Sequence, residues 1–431
     1  MKEYFEFDRN RTDYRTEVIA GITTFLASMY IIVVNPAIIS NAGMPFSGVL
    51  TATVLVSAFS SIAMGIFANN PIVIAPGMGL NAFFTFSVVL GMKVEWPVAL
   101  GAVFWSGIIF ILLSVFNVRT LIVKAIPVQL RYAIAAGIGL FITLIGFVNA
   151  GFIVSDPATI ISRGELNAQT LTFLGGLVLT AILVVKRMKG ALIIGIACTT
   201  VAACAIGRIW GQEQIVVWKG LFLSPDFSVL FQLEFIASLK LAMWPVVFAF
   251  LFTDMFDSLS TFVGIAEAGN IKDEDGEPRN VKQSLIVDGV ATGIAGLFGS
   301  SPGTSYIEST TGIEEGGRTG LTAIIAGLLF LPFMFLSPLL SVVPAIATAP
   351  ALVLVGVFMM KPVTSINWSK LDDSIPAFLA MVLIPVTYSI TQGIVWGFLS
   401  WTIIKIVIGK KDAVTPTLLV IDCFAILSLL V

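Results

Sequence analysis

Two aspartates three residues apart, Asp254 and Asp257, stand inside the apolar run LAMWPVVFAFLFTDMFDSLSTFVGI. A spacing of three puts both on one face of a helix. A third acid, Glu308, follows a Pro-Gly pair in GSSPGTSYIESTTGIEEGGRTGL. An acid at mid-bilayer costs roughly 2.5–3.5 kcal/mol on insertion scales, so such residues face a protein interior or a cavity and mark ligand and ion paths. A protonated carboxyl both donates and accepts a hydrogen bond, and the ionised form only accepts. Three such groups can therefore hold a polar ligand and exchange a proton. The chain has no histidine. Histidine-ligated zinc, Ser-His-Asp triads and histidine proton relays are excluded, and proton chemistry falls on the carboxylates Asp254, Asp257 and Glu308.

The elements that must position these acids are membrane spans. Of 431 residues, 57% are hydrophobic and 12% charged, against roughly 25% charged in a soluble domain. Apolar stretches of about 17–25 residues are candidate transmembrane helices. They fall near 18–40, 47–67, 71–90, 97–116, 132–149, 168–185, 190–207, 240–265, 283–299, 301–313, 319–337, 338–360, 374–389 and 391–409. The apolar stretch from Thr415 to Val431 is expected as a terminal or interfacial helix. The polar start, MKEYFEFDRNRTDYRTEV, has no cleavable signal pattern, so the first span is expected to stay. With the N-terminus in the cytoplasm, nineteen of the 24 Lys and Arg fall on the inner side, as the positive-inside rule requires. The expectation is a multi-pass protein of the cytoplasmic (inner) membrane, in contact with the lipid bilayer. Cys198, Cys204 and Cys423 match no metal or disulfide spacing and are expected as small apolar residues.

The long 208–234 loop separates seven spans from seven. An odd number per half gives the halves opposite orientations, the arrangement of inverted-repeat transporters. Span three carries Pro76-Gly77-Met78-Gly79-Leu80-Asn81 and span ten carries Pro302-Gly303-Thr304-Ser305-Tyr306-Ile307-Glu308. Each pairs a Pro-Gly break with small residues and then a polar side chain. Pro and Gly cannot sustain a regular helix there, and backbone freed at membrane depth must be buried or line a cavity. Paired breaks in two halves point to a binding site; the competing explanation is two kinked helices without a ligand. For the acids it is a structural hydrogen-bond network. Asp288 is expected to bond the backbone of a broken helix. Glu314 and Glu315 are expected in a solvated turn, with Arg318 partly a topology charge. Phe83, Phe84, Phe252, Phe256 and Tyr306 lie close in sequence to the polar positions, and aromatic faces suit stacking on a flat ligand.

Three motifs, PGMGLNAFF, FTDMFDSLSTFVG and TSYIESTTGIEEGGRTGLT, together with TTFLASMYIIVVNPAIISNAGM, resemble the AzgA-like purine permease branch of the nucleobase–ascorbate (xanthine/uracil permease) transporters. The resemblance runs from about Phe5 to Lys411. It implies an all-α polytopic fold of 14 transmembrane segments in a 7+7 inverted repeat, with short extended segments facing each other in spans 3 and 10. It implies a core domain at 18–116 and 240–337, a gate domain at 117–207 and 338–410, and a tail helix at 411–431. The implied activity is proton-coupled symport of purine bases such as hypoxanthine, guanine or adenine, by an elevator-like movement of core against gate. No cofactor is implied beyond the coupling ion, H+. A homodimer through the gate domain is implied, and no nucleic-acid partner. Carried onto this chain, Asp254, Glu308, Asn81, Tyr306, Ile307 and Phe252 are expected at the base, with Asp254, Asp257 and Glu308 in proton coupling. Pro76, Gly77, Pro302, Gly303, Thr304 and Ser305 are expected to line the cavity with backbone. The chain departs from the branch at Ser260, usually Gly, and in SSPGTS, which is richer in Pro and Gly than the common Thr-rich version. Such departures alter choice among purines.

The alternatives are a sodium-coupled nucleobase carrier and an anion transporter of the same fold. An anion site favours a basic residue or a bare helix N-terminus, where this chain has acids. A membrane enzyme would need a nucleophile, metal set or cofactor motif, and a passive channel a ring of repeated pore residues; the sequence has neither.

Overall fold

The computed structural model describes residues 3–116, 127–157, 159–209, 220–273, 278–416, 418–419, 422–423 and 425–426. Among them, nine helices are long and apolar enough to cross a membrane. Shorter apolar helices run over Met78–Gly91, Ala191–Ile206 and Gly320–Phe335. The fold is all-helical and polytopic, as expected, with extended segments where spans three and ten were placed.

The first span, Tyr14–Ala42, divides into α1 (Tyr14–Ser28) and α2 (Ile31–Ile39). Helix α1 starts at Asp13, whose carboxylate accepts the Thr16 amide at 2.9 Å, the usual N-cap device. Next come α3 (Phe46–Ala63), strand β1 (Ile74–Pro76) and α4 (Met78–Ala82), which widens into π-type turns over Phe83–Gly91. Helices α5 (Trp96–Val115) and α6 (Val128–Asn149) follow. A hairpin of β2 (Ile153–Asp156) and β3 (Ile160–Arg163), which hydropathy did not reveal, leads to α7 (Ala168–Val185) and α8 (Ala191–Ile209).

The second part holds α9 (Trp244–Gly269), α10 (Val281–Phe298) and strand β4 (Gly303–Ser305). After it come α11 (Thr310–Glu314), α12 (Gly320–Phe330), α13 (Ala345–Met359), α14 (Leu371–Thr387) and α15 (Ile390–Val407). The expected 338–360 span begins later than hydropathy placed it. Ser337–Leu340 forms a separate short helix, and α13 begins only after Pro344. The expected tail helix lies partly outside the described residues; Leu418, Asp422 and Ala425 of it are buried. Part of the 208–234 loop also lies outside them. The described remainder packs down, with the Phe231 amide on the Leu297 carbonyl and the Glu234 amide on the Pro97 carbonyl.

Helices pack through small residues, as they must where lipid removes the hydrophobic drive between them. Helix α5 packs on α10, α12 on α1 and α3, α6 on α13 and α14, and α14 on α15. Outward faces are apolar, as on α7, where Leu171, Val178, Ile182 and Val185 are exposed. At the α5–α10 contact a Cβ on Gly107 would come within 2.3 Å of the Gly293 amide nitrogen, whereas one on Gly293 would meet nothing within 4 Å. Gly107→Ala is therefore expected to force the helices apart at about 1–3 kcal/mol, lowering the melting temperature of the detergent-purified protein. Gly293→Ala is expected to leave it unchanged. Equal effects would mean that the close approach is one-sided only in appearance.

Candidate functional site

Strands β1 and β4 are the two broken spans, and they pair antiparallel, with Ile74 opposite Ser305, Ala75 opposite Thr304 and Pro76 opposite Gly303. The Gly77 amide donates to the Pro302 carbonyl and the Tyr306 amide to the Val73 carbonyl, both at 2.9 Å. Ser61 Oγ is within hydrogen-bond distance of both the Ile74 amide and its carbonyl. Backbone that Pro76-Gly77 and Pro302-Gly303 release from helical bonding is thus satisfied across the pair, as bilayer depth demands. Gly77 sits in a tight crossing, since a Cβ there would lie 2.8 Å from Thr304 Cγ2.

Carboxylates surround β4. Asp254 on α9 is fully buried and accepts from Thr292 Oγ1 of α10. The same hydroxyl lies 3.0 Å from the Gly303 carbonyl. One hydroxyl proton serves one acceptor at a time, so a proton on the Asp254 carboxyl would complete the set. Asp254 Oδ1 is buried with no hydrogen-bond partner. Asp257, half-buried, takes a long 3.4 Å contact from Thr304 Oγ1, which also lies 3.0 Å from Ser258 Oγ. Asp288 accepts from Ser305 Oγ at 2.9 Å. Expectation and structure differ here: Asp288 holds a side chain of β4, because Ser305 points at α10 and supplies the donor that the backbone was expected to give.

Glu308, half-buried in the short turn after β4, accepts from Tyr30 Oη of the first span at 2.7 Å. Tyr306 Oη donates to the Pro76 carbonyl, tying β4 to β1. Its ring lies 6.5 Å from that of Tyr30. The expected residues Asp254, Asp257, Tyr306 and Glu308 thus gather around the crossing with Pro76, Gly77, Gly303, Thr304 and Ser305.

Asn81 sits apart, fully buried, donating to Asn35 Oδ1 at 3.0 Å. Asn35 in turn donates to Thr53 and Ser300. Phe252 is only 2% exposed. It packs on Phe248, Phe256 and, from α15, Phe398. Ile307 is 43% exposed and flanks the turn. Phe83 and Phe84 are buried; Phe83 packs edge-on against Phe250.

Several site residues were not singled out from sequence. Thr292 and Tyr30 are joined to the acids only through tertiary contact. Asn35, a polar residue in IIVVNPAII, had a visible signal in its apolar surroundings.

The acids beyond the site divide. Glu315 pairs with Lys189 at 2.8 Å on the surface. Arg318 instead binds the carbonyls of Ile313 and Gly317. Its amide and that of Thr319 donate to the buried Glu17 carboxylate of α1.

Comparison with known proteins gives consistent results. The Permease family model Xan_ur_permease matches residues 15–396. The chain is 40% identical over 433 residues to the adenine permease AdeP of Escherichia coli (strain K12), covering 100% of this chain and 96% of that one. It is 42% identical over 427 residues to the guanine/hypoxanthine permease PbuG of Bacillus subtilis (strain 168), covering 96% of each. In fold it is similar to the transmembrane domain of a cyanobacterium bicarbonate transporter, BicA. That match has a TM-score of 0.65 and 18% identity, and covers 88% of this chain and 96% of that one; it bears on fold alone.

Proposed function

This chain belongs to the Permease family, whose model spans residues 15–396, and from that premise we propose that it imports purine bases in symport with protons. The observation that carries the proposal is the cluster of carboxylates around the crossing strands, Asp254 and Asp257 from α9 and Glu308 from the turn after β4. Asp254, Asp257 and Glu308 offer acceptors, and donors when protonated, to the N–H, N and C=O edges of a base. The names of the relatives, adenine permease and guanine/hypoxanthine permease, support the purine class.

Asp254 and Glu308 bind the base, and Asp257 sits beside them as a further proton-exchanging group. Tyr306 holds the strands in register, and Ile307 flanks the base. Asn81 and Phe252 act from behind, through the Asn35 network and the aromatic packing against Phe398. The backbone of Pro76, Gly77 and Pro302 through Ser305, buried in this state, is the stretch that lines the cavity when the site opens.

The moving parts are a core (18–116 and 240–337) and a gate (117–207 and 338–410), with the 411–431 tail outside both. Packing supports that division, since α5 with α10 and α12 with α3 fall within one part, and α6 with α13 and α14 within the other. An elevator-like slide of core against gate exposes the crossing to one side and then the other. The protein sits in the cytoplasmic membrane with its N-terminus inside, as a homodimer through the gate.

An anion substrate fits poorly, because acids at the crossing repel it. Purified protein in proteoliposomes is expected to take up labelled hypoxanthine saturably, with unlabelled adenine, guanine or hypoxanthine competing and uracil not. Absence of uptake of any purine would overturn the substrate class.

A further inference from the structure

One cation beside the crossing has no counter-ion among the described residues. Arg131, in the first turn of α6, is half-buried, and its Nε is buried without a hydrogen-bond partner. Among the described residues it forms no ion pair. Its guanidinium carbon lies 5.9 Å from the centroid of Phe256, an aromatic face being the weaker of the two kinds of partner an arginine accepts. Phe256 directly precedes Asp257, and it packs on Phe252, which touches Phe398 of α15. Arg131 and Phe256 therefore face each other across the seam between α9 and α6, the surfaces that slide in the transport reading above, on which this inference rests.

We propose that Arg131 is the gate-side counter-charge of the site, resting on the Phe256 ring in this state and pairing with Asp257 after the core has moved. A movement of the core brings a different part of α9 opposite a fixed point on its neighbour. Asp257 lies only about 1.5 Å further along the axis than Phe256 and about 100° around it, so a turning of α9 against α6, followed by the long arginine side chain, is the movement that presents it. Asp257 is the acid nearest in sequence to the ring that Arg131 now covers. In that second state the Asp257 O–H bond breaks, the proton passes to water on the side the site then faces, and the guanidinium takes the carboxylate's charge. Proton release is thereby confined to one state of the core.

Among the described residues, the other charged and titratable groups on elements around this end of α6 are few. Tyr132 is on α6 itself, and α4 carries none. Lys361 and Lys370 flank the segment between α13 and α14. Asp372 and Asp373 head α14, and both are held by Lys405 of α15 at 2.6 Å, with Lys410 also on Asp372. Asp257, next in sequence to the ring that Arg131 meets, has no ion pair among the described residues; its carboxylate takes the long contact from Thr304.

The test uses purified full-length protein in proteoliposomes with an imposed pH gradient and labelled hypoxanthine. Wild-type uptake is measured first; if it is absent, the transport reading fails, and the Arg131 comparison is then made on proton movement alone with an entrapped pH dye. Arg131→Gln is expected to keep hypoxanthine binding within about threefold and to keep exchange, while gradient-driven accumulation falls about tenfold. Arg131→Lys, which keeps the charge without the planar fork, is expected to recover most of the loss. Adding Asp257→Asn to Arg131→Gln is expected to cost nothing further. Should Arg131→Gln fail to insert, mercury bridging of the pair Arg131→Cys/Asp257→Cys is expected during turnover, with Cys198, Cys204 and Cys423 replaced by serine. Wild-type accumulation and pH profile in Arg131→Gln would overturn the proposal. Loss of binding and exchange together would also overturn it, since Arg131 would then be a substrate ligand. Absence of the mercury bridge during turnover would do the same.

Discussion

Glu308→Gln and Asp254→Asn are each expected to abolish purine accumulation while the protein still inserts at normal yield. Both changes are isosteric and keep the acceptors that the surroundings use. In Glu308→Gln the new side-chain carbonyl still accepts from Tyr30 Oη, now 2.7 Å from the carboxylate. In Asp254→Asn the amide carbonyl still accepts from Thr292. Removed are the charge and the exchangeable proton. A hydrogen bond to a charged group contributes about 1.5–3 kcal/mol, or about 10- to 100-fold in binding. Loss of the proton removes the drive for accumulation as well. Uptake by membrane vesicles, normalised to inserted protein, measures both effects; normal transport by both variants would refute the site assignment.

Arg279→Ala is expected to destabilise the fold more than any substitution at the crossing. Arg279 precedes α10 and gathers the ends of several helices. Its guanidinium donates to the carbonyls of Asn69 at 2.6 Å and Arg318 at 2.7 Å, to Asn10 Oδ1 at 2.6 Å and to Asn70 Oδ1. The neighbouring groups close the joint: Asn280 donates to the Ala68 carbonyl, and the Gly320 amide donates to Asn69 Oδ1. Alanine leaves these neutral acceptors without a donor in a half-buried pocket, at a cost of about 1–3 kcal/mol for each that water does not reach. Lysine is expected to restore only part, because one ammonium cannot span acceptors that a planar fork reaches together. Thermal unfolding in detergent measures this, and an unchanged midpoint for Arg279→Ala would contradict it.

Much of the arrangement was legible because membrane depth leaves a sequence few options. A Pro-Gly pair inside an apolar span has to find backbone partners, so Pro76-Gly77 and Pro302-Gly303 marked the two breaks; that the breaks are extended and face each other was implied by the family resemblance. Asp254, Asp257 and Glu308 stood out for the same reason, since an acid there needs a partner. What was hidden depends on contact between distant segments. Nothing local in TTFLASMYII marks Tyr30 as the donor to Glu308, and Thr292 is one threonine among many. Asp288 shows the limit of local reasoning: its need for a partner was visible, but whether backbone or Ser305 supplied it depended on the pairing of β4. Arg131 is among the nineteen cations on the inner side, and sequence cannot tell a cation in the headgroup region from one folded onto Phe256.

Reversal of the proton gradient decides whether proton chemistry and purine carriage are joined at the crossing strands. Proteoliposomes holding the purified protein are given labelled hypoxanthine with the outside acidic, then with the inside acidic, and finally with a sodium gradient alone. Proton symport predicts accumulation above the equilibrium level in the first case, depletion below it in the second and simple equilibration in the third. Uptake that ignores the direction of the proton gradient, or follows sodium, would contradict it.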